Sequence, residues 1–403
     1  MAVTVGESLP SLSAAGVLPA VASATLSEWT AIHGEDREAP TFGTLEAGVR
    51  IGGAGLPADS LALLRLASAV GGQFALADEG IDDYLLRRRS LGEWAALAAH
   101  ALSRPDAAVR FSTSGSTGEP RACRHEMGTL WQEARWLAGN LPPFERIYTV
   151  APAHHIYGFI FGVLLPAAAD VPVVHAAGVD QWRPDRIKEG DLVVGFPTFW
   201  QYLVSLGRRL PVSAVGTSST APLPASVAEA VAGNDAGSLI EVFGSSETAG
   251  LGIRATSGGE FRLMDHWRRG RDGRLQRRRP DGQWQTHEGP DDTLEWTDEH
   301  HFRPAGRRDG AVQIGGTNVY PADVARRLCA HPDVNDCHVR TGPGGSDARL
   351  KAFVVPRDTA DPMTLPAELR QWCERQFRPA ERPVSFTLGP ALPRNAMGKL
   401  QDW

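Results

Sequence analysis

The sequence predicts an α/β protein in two parts: a large N-terminal domain of layered sheets and helices with an attached β subdomain, and a small α+β C-terminal domain. Three observations predict it. From Val109 to Val242, short β-rich runs alternate with helical ones, the pattern of an α/β layered domain. From Arg254 to Trp296, Gly258-Gly259, Asp272-Gly273 and Pro280-Asp281-Gly282 punctuate short polar segments, which predicts hairpins. After Arg307 a helix–strand–strand–helix pattern stands apart, about a hundred residues long and at the low end of domain size.

The elements follow in order. In the first hundred residues, Ser60 to Val70 carries Leu61, Leu63, Leu64, Leu66 and Ala67 at helical spacing. Val109–Phe111, Ile147–Val150, Val171–Val174, Leu192–Val194 and Leu239–Phe243 are strand-like, and Pro224–Ala232 is helical. The longest apolar stretch, Gly158 to Val179, is interrupted by Pro166, Asp170, Pro172 and His175. Those groups are costly to desolvate in lipid, so the stretch reads as a buried strand-and-helix segment. In the C-terminal part, Val319 to Leu328 and Ala367–Phe377 are helical, and His338–Val339 and Leu350–Val355 are strands.

Composition is that of an ordinary globular chain: 403 residues, 42% hydrophobic, 22% charged, formal charge −6. That balance gives no reason to expect nucleic acid or an anionic membrane as partner. Cys123, Cys329, Cys337 and Cys373 form no CxxC pair, so they read as reduced thiols rather than a disulfide framework or metal site. The first basic residue is Arg37, which argues against a secretory signal. The expectation is a soluble cytoplasmic protein.

The strongest local signal is Thr113-Ser114-Gly115-Ser116-Thr117-Gly118-Glu119-Pro120-Arg121. A strand, Val109–Phe111, leads in, and an amphipathic helix with Met127, Leu130, Trp131, Ala134 and Leu137 on one face follows. Two glycines let backbone N–H groups turn toward an anion. The hydroxyls of Ser114, Ser116 and Thr117 donate to phosphate oxygens, and Arg121 adds positive charge. Such a loop suits a polyphosphate, although it lacks the Gly-Lys-Ser/Thr of a Walker A loop.

This segment resembles the phosphate-binding motif of the acyl-adenylate-forming superfamily, which includes acyl- and aryl-CoA synthetases and the adenylation domains of peptide synthetases. Arg121 replaces the usual lysine. Five further segments match in the family's order. Pro152-Ala153-His154-His155-Ile156-Tyr157-Gly158 looks like the Pro-x-x-His-x-x-Gly segment, making His155 the histidine near the acyl pocket and thiol entry. Thr220-Ala221-Pro222-Leu223 resembles the segment packed near adenine. Val242-Phe243-Gly244-Ser245-Ser246-Glu247 resembles Tyr-Gly-x-Thr-Glu. By that resemblance Phe243 stacks on adenine, Gly244 and Ser246 approach phosphate, and Glu247 holds Mg²⁺. Gly306-Arg307-Arg308-Asp309 is similar to the hinge motif, with Arg307 near the ribose and Asp309 at the swivel. Leu392-Pro393-Arg394-x-x-x-Gly398-Lys399 matches the C-terminal lysine motif, which makes Lys399 the adenylation lysine.

The resemblance runs from about Val109 to the last residues and implies a large AMP-binding domain, 1–307, and a mobile C-terminal domain, 308–403, carrying the lysine. The family's Thr-Gly-Asp is absent as written. Asp292 is the candidate for the ribose aspartate, with Asp291 and Asp298 as alternatives. The segment between Glu247 and Asp292 is shorter than usual, so the β subdomain is expected to be reduced. It contains Arg268, Arg269, Arg271, Arg274, Arg277, Arg278 and Arg279. These read as the solvated face of a small sheet, or else as a docking patch for an acidic carrier protein or a phosphate.

The implied activity is ATP- and Mg²⁺-dependent formation of an acyl-adenylate, then acyl transfer to the thiol of CoA or of a carrier-protein pantetheine. Tyr157, Phe159, Phe161, Thr217 and Ser218 lie where family pockets form and suggest an aromatic acid, hydroxybenzoate- or coumarate-like. An enzyme that stops at the adenylate or feeds another acceptor, and a nucleotide-binding relative without chemistry, are the alternatives.

Overall fold

The computed structural model describes residues 9, 11–34, 46–53, 55–114, 120–176, 182–232, 238–255, 259–307, 310–342, 348–393 and 403, apart from the side chains of Thr113, Ser114, Pro120, Arg121 and Arg307. Gly115, Ser116, Thr117, Gly118, Asp309 and Lys399 of the sequence-derived site therefore lie outside the described residues. The chain divides into two compact units. The first takes residues 1–115, 120–290 and 295–303; the second takes 116–119, 291–294 and 304–403.

In the first unit, the N-terminal helices start where the sequence offers capping side chains. Ser13 accepts from the Gly16 amide to open Ala14–His33, and Asp59 accepts from Ala62 to open Ser60–Gln73. Leu91–Leu102 opens with a reciprocal capping box between Ser90 and Glu93. Ala14–His33 packs against both of the others. Of the stripe expected in 60–70, Leu63, Leu66 and Ala67 are buried, whereas Leu61 and Leu64 face out.

The alternating run builds the main sheet. Its strands lie side by side in the order Val173–His175, Arg146–Thr149, Asp191–Gly195, Val215–Ser218 and Leu239–Ser245, all parallel. Ala249–Ala255 then turns back antiparallel, followed by Phe261–Leu263 and the start of His301–Arg307. Tyr148, Val193, Phe199, Trp200 and Leu203 form a core beside the parallel strands. The apolar stretch after Gly158 is helical throughout its first half: Ile156–Phe159, a π-helical turn Ile160–Leu164, then Leu165–Ala169.

A three-stranded antiparallel sheet, Trp267–Arg269, Leu275–Arg278 and Trp284–His287, forms the β subdomain. It corrects the solvated-face reading at one residue: Arg277 is buried, and its partners are described below. The helix expected after the glycine-rich segment is Met127–Asn140; a strand the sequence did not suggest, Pro120–Glu126, precedes it and pairs antiparallel with Ala108–Ser114.

In the second unit, helices Pro321–Leu328 and Leu365–Gln376 pack on a sheet of Val334–Thr341, Leu350–Pro356 and Ser385–Leu388. The first strand pair is antiparallel and the second parallel. Val324, Leu328, Val339, Val354 and Leu369 are its core. All four cysteines are free thiols. Among the described residues no helix is long and apolar enough to cross a membrane.

Candidate active site

Ligands of open α/β sheets bind outside the carboxyl ends of the parallel strands. Three of the sequence-derived segments leave the sheet at that edge: 150–158 after Arg146–Thr149, 219–220 after Val215–Ser218, and 246–248 after Leu239–Ser245.

The first is a histidine loop. His155 is extended (φ −88°, ψ 151°) and opens the helix Ile156–Phe159, with its amide donating to the Pro152 carbonyl at 3.1 Å. Gly158 is required for this turn, because a Cβ there would lie 2.1 Å from the Pro152 oxygen. The two histidines have different environments. His154 Nδ1 meets Ser23 Oγ at 2.7 Å, and Gln73 donates to the His154 carbonyl at 3.1 Å. Desolvation lowers the His154 pKa to about 3, so the ring is neutral. His155 lies against it, ring centroids 4.1 Å apart, and remains exposed.

Beyond the loop, Tyr157 and Thr217 share a buried hydrogen bond of 2.8 Å between hydroxyls, and Phe161 packs on the Tyr157 ring at 4.8 Å. Burial raises the Tyr157 pKa and keeps the phenol protonated. Ser218 is buried beside Thr217, and its hydroxyl has no hydrogen-bond partner among the described residues. Phe159 is fully buried and packs against Phe111 at 5.6 Å. Thr220 is exposed in the left-handed region (φ 77°), and Ser219 ties the strand end to the Val242 carbonyl at 2.8 Å.

The third segment is a tight turn. The register shifts between Phe243 and Gly244, and a Cβ on Gly244 would lie 2.2 Å from the Ala249 carbonyl oxygen. Phe243 is half-buried, its ring 5.4 Å from those of Phe261 and Phe302. Ser245 and Thr248 hydrogen-bond reciprocally across the turn. Ser246 and Glu247 sit at the tip, half-exposed.

Buried groups hold this turn from behind. His125 Nε2 lies 2.6 Å from the Ser246 carbonyl, which can only accept, so Nε2 carries the proton. Desolvation lowers the His125 pKa to about 4, which leaves the ring neutral. Arg277 donates to the Thr248 carbonyl at 2.7 Å and the Thr129 carbonyl at 2.9 Å, and lies 3.4 Å from Glu133. Glu133, 1% exposed, accepts from the Gly250 amide at 2.9 Å. Burial pushes its pKa up to about 7, opposed by the Arg277 guanidinium. No motif contains these three residues. One signal was available for Glu133, because residue 133 falls within the apolar stripe Leu130–Ala134–Leu137, where a carboxylate requires a buried partner.

Of the aspartates, Asp298 is committed to its own turn, accepting from the amides of His300 and His301, each at 2.7 Å. Asp292 begins the strand Asp292–Trp296 and is half-exposed. Among the described residues no group of three His, Cys, Asp or Glu side chains is arranged to hold a metal by itself. A lone accessible carboxylate such as Glu247 still suits Mg²⁺, which keeps several waters and binds through one or two carboxylates plus substrate phosphates.

Comparison with known proteins gives a consistent picture. The family described as AMP-binding enzyme matches residues 64–276, and the AMP-binding enzyme C-terminal domain matches 323–399. A 4-coumarate--CoA ligase from Halorhodospira halophila is 41% identical over 398 residues, 97% of this chain and 99% of that protein. One from Cereibacter sphaeroides is 35% identical over 86% of this chain and 83% of its own length. Among solved structures, a double mutant of o-succinylbenzoate CoA synthetase from Bacillus subtilis, bound with a product analogue, superposes with TM-score 0.59 at 18% identity. That match covers 95% of this chain and 91% of the other. A malonyl-CoA ligase complex with methylmalonyl-CoA and AMP gives 0.54 at 20% identity, over 71% of each chain.

Proposed function

This chain belongs to the AMP-binding enzyme family as an acid–CoA ligase, and on that premise we propose that its acid is 4-coumarate or a close 4-hydroxycinnamate. The observation that carries the substrate is the 41% identity, over almost the whole of both chains, to a 4-coumarate--CoA ligase. The Tyr157–Thr217 hydroxyl pair and the Ser218 hydroxyl support it. They offer hydrogen bonds to a phenol within otherwise apolar surroundings.

In this reading a carboxylate oxygen of the acid attacks the α-phosphorus of ATP, and pyrophosphate leaves as the bond to the β-phosphate oxygen breaks. The hydroxyls of Ser114, Ser116 and Thr117 and the charge of Arg121 stabilise the departing phosphates, and Thr113, Gly115 and Gly118 shape the loop that presents them. Lys399 supplies charge at the attacking carboxylate. Phe243 and Thr220 flank the adenine, Gly244 and Ser246 face phosphate, and Asp292 and Arg307 take the ribose. Glu247 is the ligand for Mg²⁺, which when bound neutralises developing phosphate charge. The CoA sulfur then attacks the acyl carbon and AMP leaves, with His155 at the thiol entry. Motion about Asp309 exchanges the residues used in the two steps. We take CoA, rather than a carrier-protein pantetheine, as the acceptor, a reading supported by the CoA ligases to which the chain is 41% and 35% identical.

The test is product analysis with ATP, Mg²⁺, CoA and a panel of 4-coumarate, cinnamate, 4-hydroxybenzoate and acetate. AMP and acyl-CoA should form together, and kcat/KM should be highest for 4-coumarate. Cinnamate should be disfavoured by well over tenfold, because without the phenol the buried Ser218 hydroxyl would be left without a hydrogen bond. Equal use of cinnamate would overturn the substrate assignment, and absence of AMP with every acid would overturn the activity.

A further inference from the structure

The turn that displays Ser246 and Glu247 is held by buried charge, and isolated buried ion pairs are weak sources of stability. An apolar pair of the same volume would serve the core as well. What distinguishes this pair is where its hydrogen bonds point. Arg277 reaches the Thr248 carbonyl at 2.7 Å and Glu133 reaches the Gly250 amide at 2.9 Å, on either side of Ala249. Trp267, over which the Arg277 guanidinium stacks at 4.9 Å, donates to the Gly250 carbonyl at 2.8 Å. The fit leaves no slack, since a Cβ on Gly250 would lie 2.4 Å from Glu133 Oε1. The second prong of Arg277, on the Thr129 carbonyl at 2.9 Å, fixes the guanidinium to the helix that carries Glu133. His266 faces the same pair, 3.8 Å from Glu133, and burial holds its pKa well below the ordinary value, so it adds no charge.

We propose that Arg277 and Glu133 are positioning residues for adenylation: they fix the backbone of 248–250 so that the Glu247 carboxylate and Ser246 hydroxyl meet the magnesium nucleotide in one geometry. This rests on the reading of Glu247 as the Mg²⁺ ligand. The three-stranded sheet gains a role from it. Its central strand, Leu275–Arg278, delivers a guanidinium to the back of the nucleotide turn.

The experiment is a double-mutant cycle in the full chain with Arg277→Lys and Glu247→Gln. It is read by acid-dependent ATP–pyrophosphate exchange, by calorimetric binding of ATP across Mg²⁺ concentrations, and by CoA attack on supplied 4-coumaroyl-adenylate. Lysine keeps the charge but loses the two-pronged reach. Misplacing the turn by about an ångström should cut exchange roughly tenfold to a hundredfold. It should also weaken Mg²⁺-dependent ATP binding, while thioester formation from supplied adenylate changes far less. In the Glu247→Gln background the Arg277→Lys substitution should add little, the mark of one residue acting through another.

A merely structural pair would lower the thermal midpoint, leave constants per folded molecule unchanged and give additive effects; that result overturns the proposal. If Glu247→Gln leaves the Mg²⁺ dependence untouched, the reading of Glu247 falls first. If it shifts that dependence and Arg277→Lys does not, the positioning proposal alone falls. Should Arg277→Lys not fold, the same cycle is read in Glu133→Gln, which retains an acceptor for the Gly250 amide. Failure of both to fold assigns the pair to the core and overturns the proposal.

Discussion

The histidine loop and the Ser245–Gly250 turn leave the same edge of one sheet, yet they are held by different physics. The loop hangs from neutral partners, Ser23 on His154 Nδ1 and Gln73 on the His154 carbonyl, both from N-terminal helices. The turn is clamped by a buried carboxylate and guanidinium from the helix and small sheet behind it. Both contain a glycine whose Cβ would collide with backbone, Gly158 and Gly244. Their local chain geometry is therefore equally strict, and the difference lies in the supports. On the proposed reading, neutral bonds suit a loop beside an acid and a thiol that arrive in turn. On the same reading, charged, multiply bonded supports suit a turn that has to present the Glu247 carboxylate to a metal nucleotide without moving.

The largest expected effect would test that contrast by leaving one charge behind. Glu133→Ala leaves Arg277 buried without its counter-charge and should cost about 3–5 kcal/mol in urea-induced unfolding. A loss no larger than that from a neutral hydrogen bond would mean the pair is not functionally charged, and the contrast would disappear.

A pH series sharpens the comparison next. The lowered pKa values of His154 and His125, about 3 and about 4, mean that below about pH 6.5 the unfolded chain binds protons the folded chain refuses. Their contribution to stability is present above that pH and is lost as pH falls toward 4. Glu133, raised to about 7, acts with the opposite sign between pH 7 and its unfolded value near 4.5. The turn therefore offsets part of its own acid sensitivity, whereas the histidine loop does not. Unfolding measured from pH 7.5 to 5 should show stability falling with pH, a flatter slope in His154→Gln and a steeper one in Glu133→Gln. Slopes changing in the same direction would contradict the assignment.

Smaller still, Ser23→Ala removes one neutral partner and should cost about 1 kcal/mol. Its kinetic effect should appear in CoA attack on supplied adenylate more than in pyrophosphate exchange. The smallest effect belongs to the outer arginines. Arg278→Glu with Arg279→Glu should change stability by roughly 0.5 kcal/mol or less, because the Arg279 side chain reaches Glu126, Asp281 and Gln285 at an exposed surface.

Much of this was legible in the sequence. The α/β alternation, the hairpin-rich insert and the small final domain follow from periodicity and turn residues, and the motif order carries the family. The strand Pro120–Glu126 was not legible, because Arg121, Arg124, His125 and Glu126 in seven residues defeat the apolar alternation that marks strands. Arg277 was hidden for a different reason. Seven arginines within a dozen residues look alike until the sheet turns one inward, and only Glu133 in an apolar helical stripe hinted that a partner was needed. Asp292 rests on spacing in the sequence. The structure narrows its rivals only by committing Asp298 to its own turn.

The most direct test is acid-dependent ATP–pyrophosphate exchange with 4-coumarate, measured in the wild type and in Glu247→Gln while Mg²⁺ is titrated, with ATP binding followed by calorimetry in parallel. The account predicts exchange that requires both acid and Mg²⁺, and a Glu247→Gln curve displaced to higher Mg²⁺ in both measurements. Superimposable Mg²⁺ curves, or exchange that ignores the acid, would contradict it.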